Sequence, residues 1–586
     1  MQTAWQHWTY DIARRISTVL GTHVEPTEIV TPPDPTLGDF AFGCFRLAKE
    51  QKKSPMVLAQ EIAKLFEIKG SDIAQVKATG PYVNFILSVG ASVRRVIKEA
   101  EEMGKEYGAS EDGQKKRLLL ECYNPNTHKE IHVGHLRHLV MGVAFTRLLR
   151  HAGWDVVAMS YHGDVGAHVA KVIWYLVKHS GFSLEDLTME QATTLLAKVS
   201  SADRTGAYLG GIYTKATTLL AEDEDLQKEI SFVQKQLEAH EPAWEHIWKE
   251  TRQWSLDEMK VIFYELEIKI DRQYFESEVY ERGLQMVDDL LQRKVAKISE
   301  GAVVVDLEEK KLGIFLIRKS DGTSLYATKD LALAELKDAE YPSWARGIIV
   351  TDTRQMFYFK QLFEILRRMG SDKPLEHVGY EFLTLKDGAM SSRKGNIVTY
   401  ADFRDALVDY SKQEILSRHP EWSEDKVDRV AWAIAVAGLK FGILKQDSDK
   451  IYTFDLQQAL SFDGATGPYC QYAATRLGSI LKKSGHVIDT NESLTESFDH
   501  ATEKALALSL AVLPERVAVA ARELRPSIIA QWCLETAQRI NEFYRDVSVL
   551  DSTEDLLEGR LRLAAVARQV LGQGLELLGI PLPEEM

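Results

Sequence analysis

The stretch Arg117-Leu118-Leu119-Leu120-Glu121-Cys122-Tyr123-Asn124-Pro125-Asn126-Thr127-His128-Lys129-Glu130-Ile131-His132-Val133-Gly134-His135-Leu136-Arg137-His138 decides how this chain folds. Its first seven residues carry a short apolar run, the length expected of a buried parallel strand. Beyond the motif, Leu136, Leu139, Val140 and Val143 recur at helical spacing until Gly153 can end the helix. Residues 155–160 (DVVAMS) then read as a second strand. The stretch is therefore the first turn of a βαβ unit, with His132, Gly134 and His135 where strand gives way to helix N-terminus. The first N–H groups of a helix are unpaired and lie at the positive end of its dipole, so phosphates settle there. Two imidazoles add donors, and Gly134 leaves room for a flat ring or sugar to approach the backbone. Taken alone, a His-x-Gly-His turn also arises by chance.

The rest of the composition is that of a soluble globular chain, with 45% hydrophobic and 27% charged residues. At 586 residues it is too long for one core, and about three or four domains are expected. No apolar run approaches the ~18 residues needed to span a membrane. Near the N-terminus, Trp5, Trp8, Ile12, Ile16 and Val19 interleave with Arg14 and Arg15 as an amphipathic helix rather than a signal peptide. Cys44, Cys122, Cys470 and Cys533 are scattered without a C-x-x-C pair, which points to a reducing compartment and no structural zinc. The net charge of −15 leaves a nucleic-acid partner open, because phosphates respond to a local basic surface within about a Debye length.

Residues 1 to about 105 read as a small α/β domain, with helices near 4–20 and 55–67 around a Pro/Gly-rich turn at 31–40. In Tyr82-Val83-Asn84-Phe85, alternation puts Tyr82 and Asn84 on one face. An exposed aromatic beside an amide can stack on an unpaired base and bond its edge, although an ordinary half-exposed strand has the same pattern. Residues 101–116 look like a linker, and residues 180–275 like a helical insertion. Strands are expected again at 302–307, 312–317 and 347–351, resuming the split nucleotide fold. The loop Met390-Ser391-Ser392-Arg393-Lys394-Gly395-Asn396 brings hydroxyls and two cations suited to a departing pyrophosphate. From about 425 onward helices dominate, including runs at 430–444, 467–481, 501–524, 528–547 and 563–578.

A His-Gly-His turn at a βα junction, a distant Met-Ser-x-Arg loop and a closing helical domain together resemble a class I aminoacyl-tRNA synthetase. Within that class the chain resembles the arginyl-tRNA synthetase family over its whole length. The motifs stand in order: Gly38-Asp39-Phe40-Ala41, Pro125-Asn126, His132 to Arg137, Gly163-Asp164-Val165-Gly166, Asp321 to Tyr326 with Asp330, Met390 to Asn396, and Gly467 to Tyr472. The resemblance implies an α/β fold in three parts. These are an N-terminal α/β domain recognising the tRNA elbow (1–110), a Rossmann-like catalytic domain with the insertion (111–424), and an all-α anticodon-binding domain (425–586).

The resemblance also implies a ligase that activates arginine with ATP to arginyl-adenylate, releasing pyrophosphate, and passes it to the 3′ end of its tRNA, with activation requiring bound tRNA. It assigns Lys129, His132, Gly134, His135, Met390, Ser391, Ser392, Arg393 and Lys394 to ATP and catalysis. Glu121 and Asp330 would hold the guanidinium with Tyr326, while Asn124, Asn126 and Gln355 would serve the rest of arginine. Tyr82 and Asn84 would read the elbow, and Tyr469, Tyr472, Arg476, Tyr544 and Met586 the anticodon. Magnesium is expected with ATP, no protein-bound metal or zinc, and a cytoplasmic monomer without a membrane partner. A planar, always charged guanidinium calls for carboxylates held in its plane, and lysine would leave part of such a site unpaired. No editing domain is then needed.

Three departures bear on the chemistry. Ser392 stands where the class commonly has a loop lysine, and Lys129 is expected to supply that charge. Ala389 replaces a basic residue, and Asn124 stands where the family commonly has serine. The rival readings are another class I synthetase, or a related nucleotidyltransferase that adenylates a different cationic substrate, and a non-catalytic paralogue that binds tRNA without charging it.

Overall fold

The structure is a computed structural model that describes residues 2–586 apart from 224, 321–325, 387–397, 491–493 and 495–497, and the side chains of Glu222, Tyr326, Glu554 and Asp555. The chain forms two compact units. The first comprises Met1–Ser110, Lys412–Phe441 and Gln457–Met586, and the second Glu111–Ser411 with Gly442–Leu456.

The second unit is built on a parallel sheet. Among the described residues five strands take part, in the order Leu375–Tyr380, Arg346–Asp352, Arg117–Glu121, Asp155–His162, Arg272–Phe275. All neighbouring pairs are parallel, with Glu121 registered against Met159 on one side and Ile349 on the other. Leu118, Leu119 and Leu120 are all buried, which is why the run is continuous rather than alternating. From Arg117–Glu121 the chain first adds strands to one side and later to the other. A crevice therefore opens at the carboxyl ends beside Glu121, the place where α/β sheets bind ligands.

The expectation of a split nucleotide fold needs revision in one respect. The strand expected at 347–351 does rejoin the sheet, as Arg346–Asp352, but the first to rejoin it is Arg272–Phe275, at the end of the stretch read as insertion. Lys297–Ser299, Ala302–Asp306 and Ile314–Arg318 form a separate antiparallel sheet. Local alternation gives a strand but not the sheet it joins. Between the strands Asp155–His162 and Arg272–Phe275 lie helices that include Met189–Lys198, Gly206–Glu222, Leu226–Glu238 and Pro242–Glu265.

The first unit pairs a four-stranded antiparallel sheet near the N-terminus with helices from the C-terminal third. The helix Val89–Met103 runs into the presumed linker, and Gly104 at its end accepts from Gln569 (2.8 Å) and Gln573 (2.6 Å). The single run expected at 501–524 is two helices, Ala501–Ala511 and Leu513–Glu523. Pro514 opens the second, since proline lacks the N–H a continuing helix would need.

Candidate active site

The crevice is a cleft of about 990 Å3 in the second unit. Glu121, Asn124, Asn126, His135, His168, Asp330, Lys337, Gln355 and Tyr358 are on its walls, so residues spread over more than two hundred positions converge there.

The loop after Glu121 is fixed at several points. His128, fully buried with φ of 58°, bonds Thr127 and Thr251 through its ring, at 2.9 Å each, and its N–H donates to Ser255 Oγ at 2.9 Å. Burial holds its imidazole neutral, lowering its pKa to about 3. Thr251 and Ser255 belong to the helix Pro242–Glu265, so the helical insertion clamps the loop.

His132 caps the helix Val133–His151. Its Nδ1 accepts from Gly134 N–H at 3.1 Å, and His135 Nδ1 accepts from His132 N–H at 3.2 Å. Burial lowers both pKa values, so both rings are neutral at pH 7. A neutral imidazole that accepts at Nδ1 carries its proton on Nε2, so both rings present an Nε2–H donor. Their centroids are 3.9 Å apart. A Cβ on Gly134 would lie 2.8 Å from His132 Cε1. The space kept by this glycine is therefore taken by the imidazole of His132, not left for a ligand ring. Lys129 Nζ is 5.1 Å from the centre of the Tyr213 ring and helps depress the pKa of both imidazoles.

The loop of Met390, Ser391, Ser392, Arg393 and Lys394 lies outside the described residues, as do residues 321–325. The chain directly after the loop is described. Val398 accepts from Val133 N–H (3.1 Å), and Tyr400 N–H donates to Ile131 (2.8 Å), giving an antiparallel bridge between His132 and Thr399. Arg137, almost fully buried, bonds the carbonyls of Glu381 (2.9 Å) and Asp447 (2.9 Å), tying the same helix to the segment before the loop. The two motif stretches are thus joined from both sides.

The acidic end of the cleft is more crowded than the sequence suggested. Glu121 Oε1 accepts from Asn124 Nδ2 at 3.1 Å, and Oε2 pairs with Lys337 Nζ. Asn124 Oδ1 in turn accepts from Tyr161 N–H at 2.7 Å, so this side chain orients Glu121 and the next strand. Asp330 Oδ2 accepts from the Tyr358 hydroxyl, and Glu276 pairs with Lys329. Burial pushes the Asp330 carboxyl up to about 7, against the Tyr358 bond and with the help of Glu121 and Glu276. Tyr326 opens the helix Tyr326–Glu340 one turn before Asp330, with its side chain outside the described part. Asn126 and Gln355 reach the cleft wall, Gln355 from the turn Thr353–Gln355.

Lys337, Tyr358, Glu276 and Lys329 were not singled out from sequence. Lys337 carried a signal, since it follows Asp330 by two helical turns and so shares its face. Asp164, in the second glycine motif, is fully buried on Arg252 (2.8 Å) and Ser277 (2.7 Å), so it serves the framework.

In the first unit Tyr82 is 42% exposed and meets Phe45 edge-on at 5.5 Å. Asn84 departs from expectation, being only 1% exposed. The turn ending at Gly38 covers it: a Cβ there would lie 3.5 Å from Asn84 Cβ. Strand alternation gives the face of a residue but cannot foresee a loop folding over that face. Asn84 Nδ2 has no partner among the described residues. On the helical side, Asn541 joins Tyr469 (3.0 Å) to Arg476 (2.9 Å), and the Arg476 guanidinium lies 4.5 and 5.1 Å from the ring centres of Tyr472 and Tyr544. These four predicted residues thus form one cluster. Glu585, next to Met586, pairs at 2.8 Å with Lys482 of the helix Gly467–Ser484, which also carries Tyr469, Tyr472 and Arg476.

The four cysteines are buried and free. Among the described residues no helix is long and apolar enough to cross a membrane, and no group of His, Cys, Asp or Glu has a metal-holding arrangement.

Comparison with known proteins bears on the whole chain. The family described as "tRNA synthetases class I (R), catalytic domain" matches residues 97–456, "Arginyl tRNA synthetase N terminal domain" residues 6–87, and "DALR anticodon binding domain" residues 470–586. A curated relative from Bdellovibrio bacteriovorus, named arginine–tRNA ligase, is 35% identical over 95% of this chain and 94% of its own. One of the same name from Alkaliphilus metalliredigens is 30% identical over 98% and 100%. Among solved structures, the Thermus thermophilus arginyl-tRNA synthetase superposes with a TM-score of 0.77 at 25% identity, covering 99% of this chain and 100% of that one. With the His-Gly-His turn, the carboxylate-lined cleft and the three matched regions in register along one chain, the protein belongs to the arginyl-tRNA synthetases of class I.

Proposed function

We propose that this arginine–tRNA ligase runs both of its steps in the cleft beside Glu121. The carboxylate of arginine attacks the α-phosphorus of ATP, supplied with Mg2+, and pyrophosphate leaves. A terminal ribose hydroxyl of the tRNA then takes the arginyl group, releasing AMP. Glu121 and Asp330 grip the guanidinium, with Tyr326 beside them, and Asn126 and Gln355 hold the α-amino and carboxylate end. Asn124 acts through Glu121 rather than on arginine, a reading its two hydrogen bonds support.

His132 and His135 donate Nε2–H to phosphate oxygens at the positive end of their helix, and Lys129 adds the charge that Ser392 does not supply. Arg393 and Lys394 meet the leaving pyrophosphate. Most of the rate gain then comes from positioning and from donors aimed at developing charge. Residues 1–110 bind the tRNA elbow through Tyr82, with Asn84 reached only where the covering turn yields. Residues 425–586 meet the anticodon around Tyr469, Tyr472, Arg476 and Tyr544, with Met586 at the tail's end. We read the protein as a cytoplasmic monomer, in keeping with four free buried thiols.

The observation that carries the reading is the pair of carboxylates, Glu121 buried and Asp330 half-buried, on a cleft wall shared with His135. Arginine-dependent ATP–pyrophosphate exchange tests it, with lysine as control and with and without tRNA. Exchange is expected with arginine only and with tRNA only. Glu121→Gln and Asp330→Asn should each raise the KM for arginine by about 10- to 100-fold, the worth of one charge-assisted hydrogen bond, and leave the KM for ATP unchanged. Intact tRNA binding with no exchange under any condition would favour the non-catalytic paralogue.

A further inference from the structure

We infer that Lys337 is a positioning and specificity residue, whose ammonium on Glu121 shapes that carboxylate for a guanidinium and excludes a substrate ammonium. The inference rests on the proposed role of Glu121 and Asp330 as the guanidinium site. The two side chains are nearly buried, Lys337 at 11% and Glu121 at 7% exposure, so the pair is a fixed part of the cleft wall rather than a surface contact.

An ionised carboxylate offers about four lone-pair sites, two on each oxygen. In Glu121 one site on Oε2 goes to Lys337 and one on Oε1 to Asn124. Among the described residues nothing else bonds this carboxylate, so one site on each oxygen is left. Two parallel N–H groups of a guanidinium fill such a pair of sites together. An ammonium brings a compact, strongly hydrated charge instead, and here it would share one carboxylate with an ammonium already resident. Both substrates carry one positive charge that Lys337 repels alike, so what tells them apart is the fork of donors that fits the two sites Lys337 and Asn124 leave.

Charge balance points the same way. Three carboxylates converge on this end of the cleft: Glu121 from the central strand, Glu276 from the helix Glu276–Gln292, and Asp330 from the helix Tyr326–Glu340. Two ammoniums of that last helix, Lys337 and Lys329, face them. Around them stand the phenols of Tyr161, Tyr274 and Tyr358, all held in the neutral form, the buried Cys122 thiol, His168, kept neutral by burial, and Asp164, balanced by Arg252. With Asp164 cancelled by Arg252, these three acids against these two ammoniums leave one negative charge in excess when all are ionised. That matches one singly charged substrate cation, and the paired sites on Glu121 make a guanidinium the better fit. Without Lys337 the excess is two, so the acids keep protons to higher pH and compete with arginine for the same oxygens.

The test is arginine- and lysine-dependent pyrophosphate exchange by the full-length protein with tRNA, between about pH 6 and 9. In Lys337→Met the acid limb of kcat/KM for arginine should move to higher pH by about one unit, and the preference for arginine over lysine should fall at least about 10-fold. The KM for tRNA should not change. Lys337→Arg, which keeps the charge, should return the acid limb to its original place. Lys337→Gln removes the charge while keeping a donor on Glu121, and carries the test if the methionine variant does not fold. A loss equal at every pH with the arginine preference intact, in either neutral variant, would overturn the inference and leave Lys337 a packing residue. Glu121→Gln separates the two readings. If its KM for arginine is unchanged, the guanidinium site itself is misassigned; if it rises while both neutral Lys337 variants show no shift, only the role of Lys337 falls.

Discussion

The half-buried Asp330 carboxyl, crowded by Glu121 and Glu276 in the cleft wall, keeps its proton up to about pH 7, where exposed carboxylates are long ionised. A guanidinium binds the ionised form, so arginine affinity should climb as pH rises through about 7 and flatten above it. Below that pH, binding should release a proton. Titration calorimetry in buffers of different ionisation enthalpy reads both, and in Asp330→Asn the pH dependence should disappear. A flat profile in the unaltered protein would place Asp330 away from the guanidinium. For stability without arginine the sign is opposite. The folded pKa lies above the ordinary value of 3.8, so the protonated acid favours the fold at low pH, and that contribution is lost as pH rises toward about 7. The carboxylates were legible in the sequence because their spacing from motifs could be matched. Their ammonium partners were not, because a lysine on a helix face is ordinarily read as solvated surface. The space at Gly134 was legible too, but not its occupant, since a ring rotamer leaves no trace in residue order.

Elements were legible where periodicity is strong. The helix Val133–His151 and the strands Arg117–Glu121 and Asp155–His162 fall where apolar spacing placed them. What periodicity could not give was the company each strand keeps, as the separate antiparallel sheet of residues 297–318 and the covered Asn84 show. The strand Tyr82–Leu87 nevertheless keeps its first residue exposed, with Phe45 at its edge. Stacking of one base on an aromatic ring is worth roughly 1–3 kcal/mol, so Tyr82→Ala should raise the KM for tRNA by about 5- to 150-fold. The KM for arginine should stay within about twofold. Aminoacylation kinetics with tRNA and arginine varied in turn would show it, and a parallel rise in both constants would mean that Tyr82 only packs the sheet.

At the scale of the whole molecule, residues 1–110 and 425–586 could be read as separate pieces, because each has its own composition and period. Nothing local announces that they build one compact unit, residues 442–456 excepted, since its ties join positions hundreds of residues apart. The strongest is a two-pronged pair in which Arg562 Nε and Nη2 donate to the two oxygens of Glu101 at 2.8 and 2.6 Å. Arg562 is 4% exposed in its side chain, and Glu101 is the carboxylate that neutralises it there. Removing one member of a buried pair costs about 3–5 kcal/mol, because the other charge is left in a poor solvent. In Glu101→Gln, amide exchange should therefore accelerate in two places at once: the helix Val89–Met103 that carries residue 101, and the helix Glu554–Leu577 that carries Arg562. Hydrogen-exchange mass spectrometry separates the two by peptide. Acceleration confined to Val89–Met103 would mean that the N-terminal segment opens by itself, and that the C-terminal helices hold together without it.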